Sequence, residues 1–169
     1  MAGQCVHDLY ELAQSVGSFT EMQIGQIALQ LLLQLKEFHL QDMILLLLTP
    51  QNILVRSGID NRQDPILLEI VNTVPMLLTH MKNPNSFSYV SGVDRLFLAP
   101  ELNLCDVGFY NDVWSVGTIL YLMVTGGRTG KKKEKFDFKE DVWYEVSEDL
   151  KLFIMDMLQV EGSRRATVD

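Results

Sequence analysis

The stretch Met43–Val55, Met-Ile-Leu-Leu-Leu-Leu-Thr-Pro-Gln-Asn-Ile-Leu-Val, constrains the fold of this chain more than any other. A continuous apolar run ends at Thr49-Pro50. Pro50 has no amide hydrogen and a fixed φ, so the backbone must leave any regular ladder there. The polar pair Gln51-Asn52 follows, and then Ile53-Leu54-Val55, which favours a strand. On these residues alone the reading is a buried strand, a tight loop and a second strand.

The flanks add helices and a hairpin. Asp8–Ala13 reads as a short helix ending at a Gly17 break. Thr20 is a good N-cap, with Gln23 as its reciprocal partner and Glu21 in the first turn. Ile24, Ile27, Ala28, Leu31, Leu35 and Phe38 then recur at spacings of three and four, which predicts one face of a helix about five turns long. Downstream, Arg56–Pro65 is polar and turn-rich, so Ile53–Val55 and Ile66–Val71 are predicted to form a β-hairpin. Asp112–Val124 is apolar almost all round, the pattern of a helix buried on every side, with Asp112 in place to be its N-cap. Ser147 caps a last helix carrying Leu150, Phe153, Ile154, Met157 and Leu158 at helical spacing.

Composition bounds the class of protein. A chain of 169 residues with 47% hydrophobic and 21% charged residues has enough apolar side chain for one core, and predicts one folded domain rather than disorder. A net charge of −8 gives no general attraction to phosphate backbones or anionic membranes, so nucleic acid and membrane are not expected partners. The one basic cluster, Lys131–Lys135, contains an acid and reads as a solvated loop. Cys5 and Cys105 lack C-x-x-C spacing, which fits a reducing compartment, and His7, His39 and His80 stand too far apart for a zinc site. No apolar stretch is long enough to span a bilayer and no secretory signal is visible, so the expected location is cytoplasmic. Ser15, Ser57, His7 and His39 form no nucleophile–base constellation that would support a hydrolase.

Phe38-His39 before the loop, Ala99-Pro100-Glu101 after it, and then Asp112-Val113-Trp114-Ser115-Val116-Gly117 stand in an order that resembles the large, C-terminal lobe of a eukaryotic protein kinase. Met43–Val55 takes the place of that family's catalytic loop, H-R-D-L-x-x-x-N. The resemblance covers Gly3 to Val168. It implies a mainly α fold with a short β-hairpin, residues 1–169 forming a partial kinase-like domain whose small lobe is missing. Trp143, Val146-Ser147, Lys151 and Phe153-Ile154 are similar to the calcium- and calmodulin-regulated Ser/Thr kinases.

Carried over position by position, the resemblance keeps the scaffold and loses the chemistry. Aligned on Pro50 and Asn52, the family's His, Arg and catalytic Asp fall on Leu45, Leu46 and Leu47, and only Asn52 remains as a metal or nucleotide position. The metal-binding Asp-Phe-Gly falls on Ile70-Val71-Asn72, or, with a shift of one residue, Glu69 stands in for the Asp. Residues 73–98 take the place of the activation segment, without the Arg that pairs its phosphate. Ala99, Pro100 and Glu101 match the A-P-E motif, with Arg165 in the place of the residue that pairs its Glu. Asp112, Trp114 and Gly117 match the central helix, whose Asp accepts hydrogen bonds from the catalytic-loop backbone. Phe136 follows Gly127 so soon that the family's short docking helix is expected to be deleted.

The chain contains no G-x-G-x-x-G and no V-A-I-K, so no cofactor is expected. The expected function is a catalytically inactive, pseudokinase-like scaffold that binds other proteins, a kinase or a small lobe among them. The alternative is a divergent Ser/Thr kinase fragment using Mg-ATP. A third reading is an incomplete gene product, cut at both ends. The apolar Leu45–Leu48 run also predicts an aggregation-prone surface.

Overall fold

The computed structural model describes residues 7–17, 19–57, 67–71, 76–77, 94–104, 107–126 and 136–168. Among the described residues the architecture is mainly helical, with one three-stranded and one two-stranded antiparallel sheet. In chain order the elements are β1 (His7–Asp8), α1 (Leu9–Val16), α2 (Glu21–His39), β2 (Met43–Ile44), β3 (Ile53–Ser57), β4 (Leu67–Ile70), β5 (Met76–Leu77), α3 (Tyr110–Val124) and α4 (Glu148–Met157). Asn72, the basic cluster, Cys5, Cys105, His80 and most of 73–98 lie outside the described residues, as does the segment of the expected helix deletion.

Local chemistry explains the helix ends. The Asp8 carboxylate caps α1 by accepting from the Glu11 amide at 2.8 Å, and Gly17 ends it at φ 73°, a conformation that glycine adopts without strain. The predicted helix starts one residue later and runs further than expected: Asp8 is its cap and, with His7, forms a short strand paired with Leu54 and Val55. Thr20 and Gln23 form a full capping box at the start of α2. Ile24, Ile27, Ala28, Leu31 and Leu35 are buried on its inner face, with Phe38 partly buried beside them.

The hairpin is β3–β4, with Ile53 opposite Ile70 and Leu54 opposite Glu69. α2 clamps it through two glutamines that sequence periodicity treats only as interruptions. The Gln30 side-chain oxygen accepts from the Leu68 amide at 3.0 Å. Gln34 accepts from the Ile70 amide at 2.9 Å and donates to the Leu68 carbonyl at 3.2 Å. The signal was present as two glutamines four residues apart, which share one helix face.

α3 is the centre of the lobe. Every one of its residues except Tyr110 and Leu122 is buried, including the polar Asn111, Ser115 and Thr118. Its Ser and Thr hydroxyls are satisfied by backbone carbonyls, Ser115 by Phe97 at 2.9 Å and Thr118 by Trp114 at 3.0 Å. α4 packs so closely on α3 that a Cβ on Gly117 would lie 2.7 Å from the Cβ of Met157. Tyr121 is the hub of an aromatic cluster with Phe136, Phe138 and Trp143. Its hydroxyl both accepts from the Asp137 amide and donates to the Asp137 carbonyl, and burial raises the pKa of the phenol.

Three expectations are corrected. α3 begins at Tyr110, so Asp112 is not an N-cap but a first-turn residue turned inward. Phe153, placed on the inner face of the last helix by periodicity, is 39% exposed, while Leu150, Ile154 and Met157 carry the packing. Leu45, Leu46 and Leu48 are at most 4% exposed, so the leucine run is core and offers no sticky surface of its own.

Candidate functional site

The predicted first strand shrinks to Met43–Ile44, because the next two amides are taken by a side chain rather than by a ladder. Asp112, 0% exposed at the start of α3, accepts from the Leu46 amide at 2.7 Å and from the Leu45 amide at 3.0 Å. His39, at the end of α2, places Nε2 at 2.9 Å from the same carboxylate. A buried carboxylate needs such donors. Its imidazole stacks on Phe109 with centroids 4.5 Å apart. The sequence placed His39 behind the loop, but its bond to Asp112 spans 73 positions and had no local signal.

Held this way, the loop turns sharply. Leu46 takes φ 60°, a left-handed conformation that costs a residue with a Cβ roughly 1–2 kcal/mol. The Leu47 amide then donates to the Leu45 carbonyl at 2.7 Å, leaving the Leu47 side chain half-buried. Pro50–Asn52 form one tight helical turn whose cap is reciprocal. The Asn52 side-chain oxygen accepts from the Thr49 hydroxyl at 2.9 Å and from the Thr49 amide at 3.3 Å. The Asn52 carbonyl accepts from the Val71 amide at 2.7 Å, tying the loop to the residue after β4.

The residues that would hold a metal are otherwise engaged. Glu69 pairs with Arg56 across the hairpin, with Arg56 Nε donating to its carboxylate at 2.5 Å. Ile70, the other candidate at that place, is apolar and faces Ile53. Among the described residues no group of His, Cys, Asp or Glu is arranged to hold a metal ion. In the described part of this site Leu47 supplies no carboxylate, and the Asn52 side-chain oxygen accepts from the Thr49 hydroxyl.

A second constellation locks the far side of the lobe. Arg165 donates to both oxygens of Glu101, at 2.5 and 3.0 Å, and to the carbonyls of Tyr110 and Gln159 at 2.6 and 2.7 Å. Its guanidinium lies 5.0 Å from the ring centroid of Trp114, whose indole donates to the Leu96 carbonyl. Asn111 completes the group by donating to Glu101 at 2.8 Å, a role no sequence pattern announced. Ala99 is buried and Pro100 opens the short turn that carries Glu101 into place. Beside the loop lies a cavity of about 280 Å³, lined by Tyr10, Gln14, Pro50, Gln51, Phe97 and Met123 among others.

Comparison with known proteins accounts for this arrangement. The family model described as "Protein kinase domain" matches residues 1–169. The meiosis-specific serine/threonine-protein kinase mek1 of Schizosaccharomyces pombe is 28% identical over 95% of this chain and 38% of its own length. The calcium/calmodulin-dependent protein kinase cmkA of Emericella nidulans is 27% identical over 95% of this chain and 40% of its own length. The chain thus spans well under half of these relatives. Among solved structures, that of Rad53 1-466 in complex with AMP-PNP superposes with a TM-score of 0.73 at 22% identity, covering 95% of this chain and 41% of that one. With its loop hung from a buried aspartate and its lobe closed by a Glu–Arg pair, the chain belongs to the protein kinase family.

Proposed function

We propose that this chain is a catalytically inactive kinase-like lobe that acts by binding other proteins. The observation that carries the reading is the loop Leu45–Leu47, whose backbone is held by Asp112 while its side chains are leucines, two of them core. On the resemblance, these are the places of the family's His, Arg and catalytic Asp. Phosphoryl transfer depends on positioning and on charge stabilisation at the transferring group. A leucine at position 47 can neither accept the substrate hydroxyl's proton nor orient it. Leucines at 45 and 46 are buried in the core instead, so neither presents a charge or a donor to the loop's surface.

What remains is a packed framework with a largely apolar cavity beside the loop, which suits a peptide segment of a protein partner better than a charged nucleotide. Candidate partners are a kinase or a small lobe; nucleic acid and membrane are not proposed, given a net charge of −8. No helix of the described residues is long and apolar enough to cross a membrane, and the proposed location is the cytoplasm.

The second reading is a segment of a divergent Ser/Thr kinase that transfers the γ-phosphate of ATP to protein. The names of the relatives favour it. The engagement of Glu69 by Arg56 and of Asn52 by Thr49 weighs against it.

A thermal melt with and without millimolar Mg-ATP separates the two, because a ligand that binds only the folded state raises the midpoint. The expected result is one cooperative transition that Mg-ATP does not move. A rise of several degrees that requires magnesium would overturn the inactive reading.

A further inference from the structure

We propose that the cavity between the end of α2, the start of α3 and the closing segment 162–168 is a binding site for a small aromatic carboxylate. The proposal goes beyond the functional reading above and does not depend on it.

The cavity encloses about 520 Å³, a size that holds a small organic molecule. Its walls are largely apolar and aromatic, with Val107, Phe109, Tyr110, Val113 and Val168 among them. The chain has 22 acidic against 14 basic residues, yet among the described residues the lining carries Lys36, His39 and Arg165 and no Asp or Glu. Arg165 is engaged by Glu101 and by the carbonyls of Tyr110 and Gln159. Lys36 is different: it makes no ion pair among the described residues. A cation without a counter-charge, at the wall of an apolar cavity in an acidic protein, is complementary to an anion with an apolar body.

His39 supplies a second polar group. It is 7% exposed, lines the cavity and stacks on Phe109, another wall residue. Its Nε2 faces the Asp112 carboxylate, so that nitrogen carries a proton. Nδ1 is buried and has no hydrogen-bond partner among the described residues. Buried polar atoms are nearly always paired, so an orphan on a cavity residue points to a group that the protein itself does not supply. A water would meet Nδ1 but leave the Lys36 charge and the apolar walls unmatched.

One head group suits both residues. Lys36 and His39 stand three positions apart on α2 and so share a face. Lys36 calls for negative charge. Nδ1 needs a donor when the ring is neutral and an acceptor when the ring is doubly protonated, and a carboxyl group can be either. A phosphate, with more oxygens and more charge, would ask for more donors than one lysine and one imidazole give. The rings of Phe109 and Tyr110 favour a flat aromatic body over an alkyl chain.

Calorimetric titration of the full chain with 1-naphthoate tests the proposal. The expected result is one site with a dissociation constant on the order of 10–100 μM. The amide 1-naphthamide keeps the rings and loses the charge, and should bind at least about tenfold more weakly. Lys36→Met keeps most of the aliphatic stem and removes the cation, and should weaken 1-naphthoate by a similar factor while keeping the melting curve. A further readout needs no variant: with nitrogen-15 in the histidine rings, saturating 1-naphthoate should shift the Nδ1 resonance of His39 and leave those of His7 and His80 in place. Absence of saturable binding up to millimolar ligand, equal affinity for the amide, unchanged affinity in Lys36→Met, or an unmoved His39 Nδ1 would overturn the proposal.

Discussion

Replacing Asp112 by alanine should unhook the loop from the lobe. The carboxylate accepts from the amides of Leu45 and Leu46 and faces His39 Nε2, all in surroundings that exclude water. Removing it leaves three polar groups in need of partners, each costing ~1–3 kcal/mol if it stays buried. It also removes the bond that fixes Leu46 at φ 60°, so the loop gains by relaxing and part of the cost is recovered. The net expectation is a loss of ~3–6 kcal/mol, a large fraction of the ~5–15 kcal/mol that holds a domain of ordinary stability. Asp112→Asn keeps one acceptor oxygen but turns an amine toward donors, so roughly half that loss is expected. Urea unfolding at neutral pH gives the magnitudes, and hydrogen exchange gives the location, with the Leu45 and Leu46 amides deprotected well before the centre of α3. An alanine variant within about 1 kcal/mol of the parent, or one with those amides still protected, would refute the account of the loop as hung from Asp112.

Other perturbations test other parts of the lobe. Arg165→Met leaves the buried Glu101 with Asn111 as its remaining side-chain donor of that cluster, and should cost ~3–5 kcal/mol in urea unfolding; adding Glu101→Gln should recover part of it. Gly117→Ala drives a methyl to 2.7 Å from Met157 Cβ, and should lower stability by ~1–3 kcal/mol although alanine is the better helix former. The Ser147 hydroxyl and amide donate to the Glu21 carboxylate and hold its pKa below the usual carboxylate range. The sign follows: this docking of α4's cap onto α2 contributes above the ordinary carboxylate pKa and is lost as pH falls through the depressed value. Glu21→Gln should remove that part of the acid dependence from a series of melts.

The local devices were legible because their causes are local. The Thr20–Gln23 capping box, the Ser147 cap, the Gly17 stop and the inner face of α2 each depend on residues within a turn or two of one another, so spacing alone reveals them. The all-round apolar character of α3 likewise announced its burial. The ends of α3 and the exposure of Phe153 were less legible, since periodicity states which residues share a face but not how wide a neighbour covers it.

The site divides along the same line. Sequence by itself determined that Met43–Val55 carries leucines where the family it resembles carries His, Arg and Asp, because that is a matter of side-chain identity at fixed spacing. Only the tertiary structure decided what holds those leucines. Asp112 reaches back 66 positions to the Leu46 amide, His39 meets it from 73 positions away, and Arg56 engages Glu69, the carboxylate that a one-residue shift of the alignment sets at the metal-ligand place. Bonds of that range cost chain entropy to close and are set by how the whole lobe packs, so no window of sequence contains them.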